Sequence, residues 1–289
     1  MIRVGPAGWS YKDWEGIVYP AKPPKGFHGA TYLAQFFDTI EVNSSFYRPP
    51  AASAVRGWVG RVSANAKFKY TVKLWRGFTH ERNATQEDER AVKEAFDSFH
   101  RAGRLGAVLM QFPISFKFTP DNREYVSDLR KRFREYPLVL EIRHISWSDS
   151  HALELLAELG IGFCNIDQPR MGRSLRATAE ATSPVGYVRL HGRNYQNWFA
   201  ENRTVNERYD YLYTPEQLEP WVDRIKTVAG DTEDTYVVTN NHNLGKAVVN
   251  AFELEAFLSG RPVDPPEQLV QRYPVLKQFA GQDSGGGLP

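Results

Sequence analysis

Short apolar runs bounded by Gly, Pro and polar residues recur along the chain, and most are followed by a stretch with the three-to-four-residue apolar spacing of an amphipathic helix. The strand-like runs are Ile2–Gly8, Thr39–Asn43, Lys67–Leu74, Leu105–Phe112, Leu138–Arg143, Gly162–Asp167, Val185–His191 and Thr235–Asn240. Helical patterns are expected over Thr31–Phe37, Ala54–Val62, Glu87–Arg101, Asn122–Arg134, Asp149–Leu159, Pro215–Val228 and Lys246–Leu258. Strands alternating with helices argue for parallel βαβ units, and eight of them over roughly 260 residues fit an α/β fold, a single (β/α)8 barrel of the TIM type. An open doubly wound sheet is the competitor, weakened because no G-x-G-x-x-G follows the first strand. Pro169 and Pro184 flank a stretch with little periodicity, so the sixth helix is expected to be weak or irregular. Residues 1–260 are expected to form the barrel domain. Residues 261–289 read as a Pro-rich and then Gly-rich extension without the apolar spacing of a core element, its last residues expected to be disordered.

Composition narrows the class. The 289 residues carry 36 Lys and Arg against 34 Asp and Glu, so no global basic field asks for nucleic acid. A single cysteine, Cys164, rules out a disulfide framework, a cysteine zinc site and an iron–sulfur cluster. No apolar run approaches the ~20 residues that span a bilayer, and the opening MIRVGPAGW reads as a strand rather than a leader. A cytoplasmic, membrane-free protein is expected.

Candidate chemistry sits at the strand ends, where the active sites of parallel barrels collect. Glu41 and Asn43 alternate with Ile40 and Val42; Glu141 and Arg143 alternate with Leu140 and Ile142; Arg189 and His191 alternate with Val188 and Leu190. Thr71 and Lys73, Gln111, Asn165 and Asp167, and Asn240 beside Asn241 complete the pattern. If the apolar set packs on helices, the polar set converges on one mouth, where burying so many charges is unfavourable unless they pair or meet a ligand. Singly, Glu141 with Arg143 or Glu41 with Lys73 serve equally well as structural pairs. As a set drawn from seven strands they mark a site. Lys73, Arg143 and Arg189, with His144 nearby, suit a phosphate or carboxylate. Glu41, Glu141, Asp167, His191 and Lys73 are the candidates for acid–base work.

Glu141, Asp167 and His191 also end consecutive strands, and such oxygen and nitrogen ligands suit a divalent metal, Mn or Mg. Against it, Arg143 and Arg189 would crowd a cation, and strand 8 offers only Asn240 and Asn241. Aromatic residues, 13% of the chain, fall in the segments after the strands. These are Trp9, Tyr11 and Trp14; Phe46 and Tyr47; Trp75 and Phe78; Trp147; and Tyr195, Trp198 and Phe199. They are expected to wall a pocket, although each alone is explained by loop packing. The segment from Asn241 to Lys246 enters the last helix where many barrels hold phosphate, and a helix cap explains it equally well.

The motifs GWSYKDW at 8–14, IEVNSSFYRPP at 40–50, KYTVKLWRGFTH at 69–80, LGAVLMQFP at 105–113, LEIRHISW at 140–147, YVRLHGR at 187–193 and TNNHNLGKAVVNA at 239–251 resemble the DUF72 family, the YecE-like or UPF0759 barrel proteins. The resemblance runs from about residue 2 to 258 and implies a TIM-type barrel. It brings no assigned activity, only a loose relation to sugar isomerases. His242 departs from it, standing where the family often has Asp or another small polar residue.

Three functions compete. The first is an enzyme acting on a small anionic, carbohydrate-like substrate. In it Glu141 and Asp167 are acid–base groups and His191 a proton shuttle. Arg143, Arg189 and Lys73 hold the anion, and Asn43, Gln111 and Asn240 orient hydroxyls. The second is a metal-assisted phosphoester or phosphodiester hydrolase, possible nucleic-acid direction included. The third is a non-catalytic binding or sensor protein using the same pocket. The basic run Arg130-Lys131-Arg132, then Arg134, reads as a solvated helix face. No G-x-S-x-G, H-E-x-x-H or Walker motif is present, so serine nucleophilic chemistry is not expected.

Overall fold

In the computed structural model, which describes residues 1–169, 172–198 and 205–281, the eight apolar runs become eight parallel strands. They are β1 (Ile2–Pro6), β2 (Thr39–Val42), β3 (Lys69–Lys73), β4 (Leu105–Gln111), β5 (Leu138–Glu141), β6 (Gly162–Asp167), β7 (Val185–Leu190) and β8 (Asp234–Thr239). Their hydrogen-bonded order, β1-β8-β7-β6-β5-β4-β3-β2, is that of an eight-stranded barrel opened at one seam. The strands are short and covered on both sides, which is why β4 reads LGAVLMQ with almost no polar interruption.

At the seam, β1 and β2 meet through a single bridge, Ala7 to Glu41, and the Gly8 amide donates to the Glu41 carbonyl at 2.8 Å. Gly5 makes this approach possible. A Cβ there would lie 1.9 Å from the Thr39 carbonyl oxygen, so no other residue fits without moving the strand.

The helices are α1 (Gly29–Leu33), α2 (Ala52–Arg61), the one-turn α3 (Arg76–Thr79), α4 (Gln86–Arg101), α5 (Pro120–Arg132) and α6 (Ser150–Glu158). After β7 come the one-turn α7 (Tyr195–Trp198) and α8 (Val205–Arg208), then α9 (Pro215–Gly230), α10 (Lys246–Ser259) and α11 (Glu267–Arg272). Most begin at the signals the sequence carries. Thr85 and Asp88 form a reciprocal cap on α4, whose first turn is acidic and last turn basic. Asp149 caps α6, and Thr119 and Thr214 precede Pro120 and Pro215 at the starts of α5 and α9. The first helix is shorter than expected and starts earlier, where the His28 ring accepts from the Ala30 amide at 3.3 Å.

Among the described residues no helix lies between β6 and β7. The chain there is irregular and is tied to the loop after β5, with the Leu175 amide donating to the Arg143 carbonyl at 2.7 Å. The extension beyond residue 260 corrects its reading. Leu269, Tyr273 and Leu276 are buried, and the Tyr273 hydroxyl donates to the Leu244 carbonyl at 2.7 Å. Their i, i+4, i+7 spacing is a helical stripe cut short by Pro274. The disorder expected of the last residues concerns positions 282–289, which lie outside the described residues. The basic run on α5 is engaged within the protein: Arg130 donates to the Leu159 carbonyl at 2.8 Å and Arg132 meets Glu89 at 2.7 Å. Among the described residues no helix is long and apolar enough to cross a membrane.

Candidate active site

Alternation along β2, β5 and β7 sends Glu41, Glu141, Tyr187 and Arg189 to the barrel interior, with His191 just above β7. Carboxylates placed there must be paired or they destabilise the fold. Arg189 does the pairing. Its Nε and Nη2 donate to the two oxygens of Glu41 at 2.9 and 2.5 Å, while Nη1 donates to Glu141 Oε2 at 2.6 Å. The planar guanidinium fork suits this arrangement, which an ammonium could not reproduce. Glu141 Oε1 accepts from Arg143 Nη2 at 3.0 Å. Tyr187 bridges the floor of the site: its hydroxyl lies 2.8 Å from Glu41 Oε2 and 2.8 Å from the Thr71 hydroxyl.

His191 completes the network. Its Nε2 lies 3.1 Å from Glu141 Oε1, and the Asn240 amide nitrogen donates to its Nδ1 at 3.0 Å. An amide nitrogen has no lone pair to offer, so Nδ1 is the acceptor and the ring proton sits on Nε2, facing the carboxylate. Burial, helped by the positive field of Arg143 and Arg189 against the opposing pull of Glu141, takes the imidazole down to about 3. Burial pushes the Glu141 carboxyl up, but Arg189, His191 and Arg143 together outweigh it and hold it well below the ordinary carboxylate range. The result is a neutral imidazole beside an ionised Glu141.

Lys73, at the end of β3, is placed differently. Its Nζ donates to Gln111 Oε1 at 2.6 Å and lies 4.3 Å from the centre of the Phe46 ring. Burial and the neighbouring Arg189 lower its ammonium to about 7, against the pull of Glu41 and Glu141.

Above this network opens a cleft of about 670 Å³. Trp9, Tyr11, Tyr47, Trp58 and Tyr209 wall it, with Asn43, Asn240 and His242 between them. Trp9 and Trp58 meet edge-to-face at 5.2 Å, and the His242 ring stacks on Tyr11 at 4.6 Å. Its charged lining is Lys73, Arg189 and Arg208; among the described residues it includes no Asp or Glu. A smaller lobe of about 260 Å³ shares Arg208 and Tyr209 and adds Gln111, Arg143 and Gln168, again with no described carboxylate.

The structure therefore brings together Glu41, Glu141, His191, Arg143, Arg189, Lys73, Gln111, Asn43, Asn240, Trp9, Tyr11 and Tyr47. Five expected residues stand apart. The register of β6 on β7 pairs Cys164 with Tyr187 and Ile166 with Arg189, so Cys164 and Ile166 face inward and Asp167 faces outward. There Asp167 Oδ2 accepts from Arg193 Nε at 2.7 Å. Asn165, on the same side, holds the irregular sixth segment through the Glu180 backbone and the Thr178 hydroxyl. Asn241 is a strut: its amide donates to the Tyr211 carbonyl at 2.7 Å and to Asn250 at 2.8 Å. His144 caps the turn at Ser146, and Trp147 is buried, its indole donating to the Phe116 carbonyl at 2.9 Å.

These placements bear on the metal reading. Glu141 and His191 adjoin but Asp167 does not join them, and among the described residues no group of three or more His, Cys, Asp or Glu is arranged to hold an ion. Both Glu141 oxygens already accept from guanidinium N–H groups, and each ring nitrogen of His191 faces a partner. This set does not fit a divalent cation. In the segment from Asn241 to Lys246, which reads equally as a phosphate loop or a helix cap, the Leu244 amide donates to Asp13 Oδ2 at 2.6 Å.

The other aromatic residues divide between site and scaffold. Phe46 carries Lys73, whereas Trp14 and Phe78 are buried and Tyr195 is exposed. Trp75 donates to the Tyr47 carbonyl at 3.2 Å. Phe199 and the side chain of Trp198 lie outside the described residues. Sequence reasoning missed Tyr187, which shares the parity of Arg189 and His191 and was one step away on β7. It also missed His242, Trp58, Gln168, Arg208 and Tyr209. The last two lie in an aperiodic segment and carry no spacing signal.

The UPF0759 protein YunF of Bacillus subtilis (strain 168) is 28% identical over 274 residues, covering 88% of this chain and 93% of YunF. A DUF72 family protein from Thermotoga maritima, of solved structure, is 31% identical with a TM-score of 0.77, covering 90% of this chain and 99% of the other. A DUF72 family protein from Enterococcus faecalis shares the fold at 23% identity, with a TM-score of 0.78 and coverage of 90% and 96%. The sequence profile described as "Protein of unknown function DUF72" matches residues 3–271, nearly the whole length, and the chain belongs to that family.

Proposed function

We propose that the protein is an enzyme that binds a small anionic, carbohydrate-like molecule in the aromatic-walled cleft and acts on it by acid–base chemistry. One observation carries this reading: the described lining of the cleft holds Lys73, Arg189 and Arg208 and no carboxylate. A cleft that focuses one sign of charge in a low-dielectric wall concentrates the opposite sign. Aromatic faces suit the apolar faces of a sugar ring, and the amides of Asn43 and Asn240 suit its hydroxyls.

Within this reading Glu41 and Glu141 are positioning residues. They hold the Arg189 guanidinium flat on the cleft floor and cancel part of its charge. Lys73, lowered to about 7, is the proton carrier, since a group that titrates near the working pH serves as both acid and base. Arg143 and Gln111 line the smaller lobe and take the far end of the substrate.

The test is a turnover screen of phosphorylated and carboxylated monosaccharides beside their neutral parents. Conversion of an anionic sugar, lost in Lys73→Met while the variant stays folded, supports the proposal. Failure of every anionic sugar to bind or react overturns it.

A further inference from the structure

We propose that Lys73 is a covalent nucleophile, forming an imine with the carbonyl carbon of an anionic aldehyde or ketone held in the cleft. This rests on the anion-binding reading above and names the substrate class more narrowly.

The surroundings of Nζ carry the argument. An ammonium that serves only as a charge is ordinarily stabilised by a carboxylate, yet no ion pair among the described residues includes Lys73, although two carboxylates lie in the same network. Arg189 and Arg143 have taken them. Nζ is left with one neutral partner, the Gln111 amide oxygen, and the face of Phe46. A lysine amine that is desolvated and set beside other cations loses its proton readily, and that is how a weak nucleophile becomes a competent one. The value of about 7 agrees with that geometry. Lys73 lines the cleft, which gives a carbonyl carbon a route to Nζ. Arg208 and Arg189 border the same cleft and can hold the anionic end of that molecule.

The step balances without a further reagent. The lone pair of the neutral amine forms the C–N bond, the carbonyl oxygen becomes a hydroxyl by gaining a proton that the nitrogen loses, and the carbinolamine takes up one proton from solvent and expels that oxygen as water. The protonated imine that remains draws electrons from the adjacent carbon, so a proton or a carbon fragment at that position becomes easier to remove. Isomerisation beside a carbonyl and carbon–carbon cleavage both need this.

The experiment uses D-glyceraldehyde 3-phosphate as probe, with sodium cyanoborohydride to reduce any imine to a stable secondary amine, followed by peptide mapping. The expected result is an adduct at Lys73 in preference to all other lysines, suppressed by inorganic phosphate, weaker with unphosphorylated glyceraldehyde, and lost in Lys73→Arg. Arginine keeps the positive charge, so Lys73→Arg should still bind inorganic phosphate by calorimetry. Phosphate binding by the wild type without any adduct at Lys73 overturns the imine and leaves the anion cleft standing. Absence of both phosphate binding and adduct overturns both.

Discussion

Arg189 and Glu41 are joined by two hydrogen bonds, Nε to Oε2 at 2.9 Å and Nη2 to Oε1 at 2.5 Å, between side chains that are 1% and 0% exposed. A pair so placed cannot exchange its partner for water when the chain fluctuates. With Glu141 on the third nitrogen, it fixes the distance between β2, β5 and β7 at the mouth. This matters most beside the seam between β1 and β2, which the Ala7–Glu41 bridge closes in place of a ladder.

Replacing Arg189 by Met should therefore cost about 3–5 kcal/mol, because it strands two buried carboxylates rather than merely removing an attraction. Urea denaturation followed by circular dichroism measures it. A variant as stable as the wild type would show that the network is not holding the barrel mouth.

Two depressed values at the site contribute to the acid side of the stability profile. His191 falls to about 3 when folded, against about 6.5 in the unfolded chain. Between those limits the unfolded chain holds a proton that the folded chain does not. This contribution of His191 is complete above about pH 6.5 and falls as pH drops, by up to about 1.4 kcal/mol per unit. Glu141 acts in the same sense lower down. Its depressed value contributes stability above the unfolded value of about 4.3, lost as pH falls through the folded one. Denaturant midpoints between pH 4 and pH 7 should slope upward with pH, and His191→Gln should flatten the slope. A variant with the wild-type slope would contradict the neutral imidazole.

Asn165→Leu tests the inverted face of β6. The amide serves the Glu180 backbone and the Thr178 hydroxyl, so its loss leaves half-buried groups without that partner, at about 1 kcal/mol each. Hydrogen exchange should quicken at Glu180, whose amide donates to Asn165, while β7 stays protected. Unchanged exchange there would mean the segment is held by something else.

Much of this architecture is legible in the chain. YVRLH on β7 shows the alternation that puts Arg189 and His191 inside, and the Thr-Pro and Asp starts of the helices are local signals that tertiary packing did not override. β6 was misread for a physical reason. An outward strand face meets apolar side chains when a helix covers it, but β6 is covered by irregular chain with backbone groups to satisfy. Asn165 and Asp167 turn outward to that cover, and Cys164 takes the interior position. The weak sixth helix and the polar alternation of β6 were two signs of one arrangement. Trp58 on α2 and Arg208–Tyr209 beyond β7 reach the cleft only through the tertiary fold, which no spacing rule encodes.

Titration calorimetry with inorganic phosphate measures most directly whether the cleft floored by Arg189 and bordered by Lys73 selects negative charge. The expected result is saturable binding that weakens as salt rises, is reduced in Lys73→Met, and is not matched by a neutral sugar of similar size. Absence of phosphate binding by the folded wild-type protein at low ionic strength would contradict it.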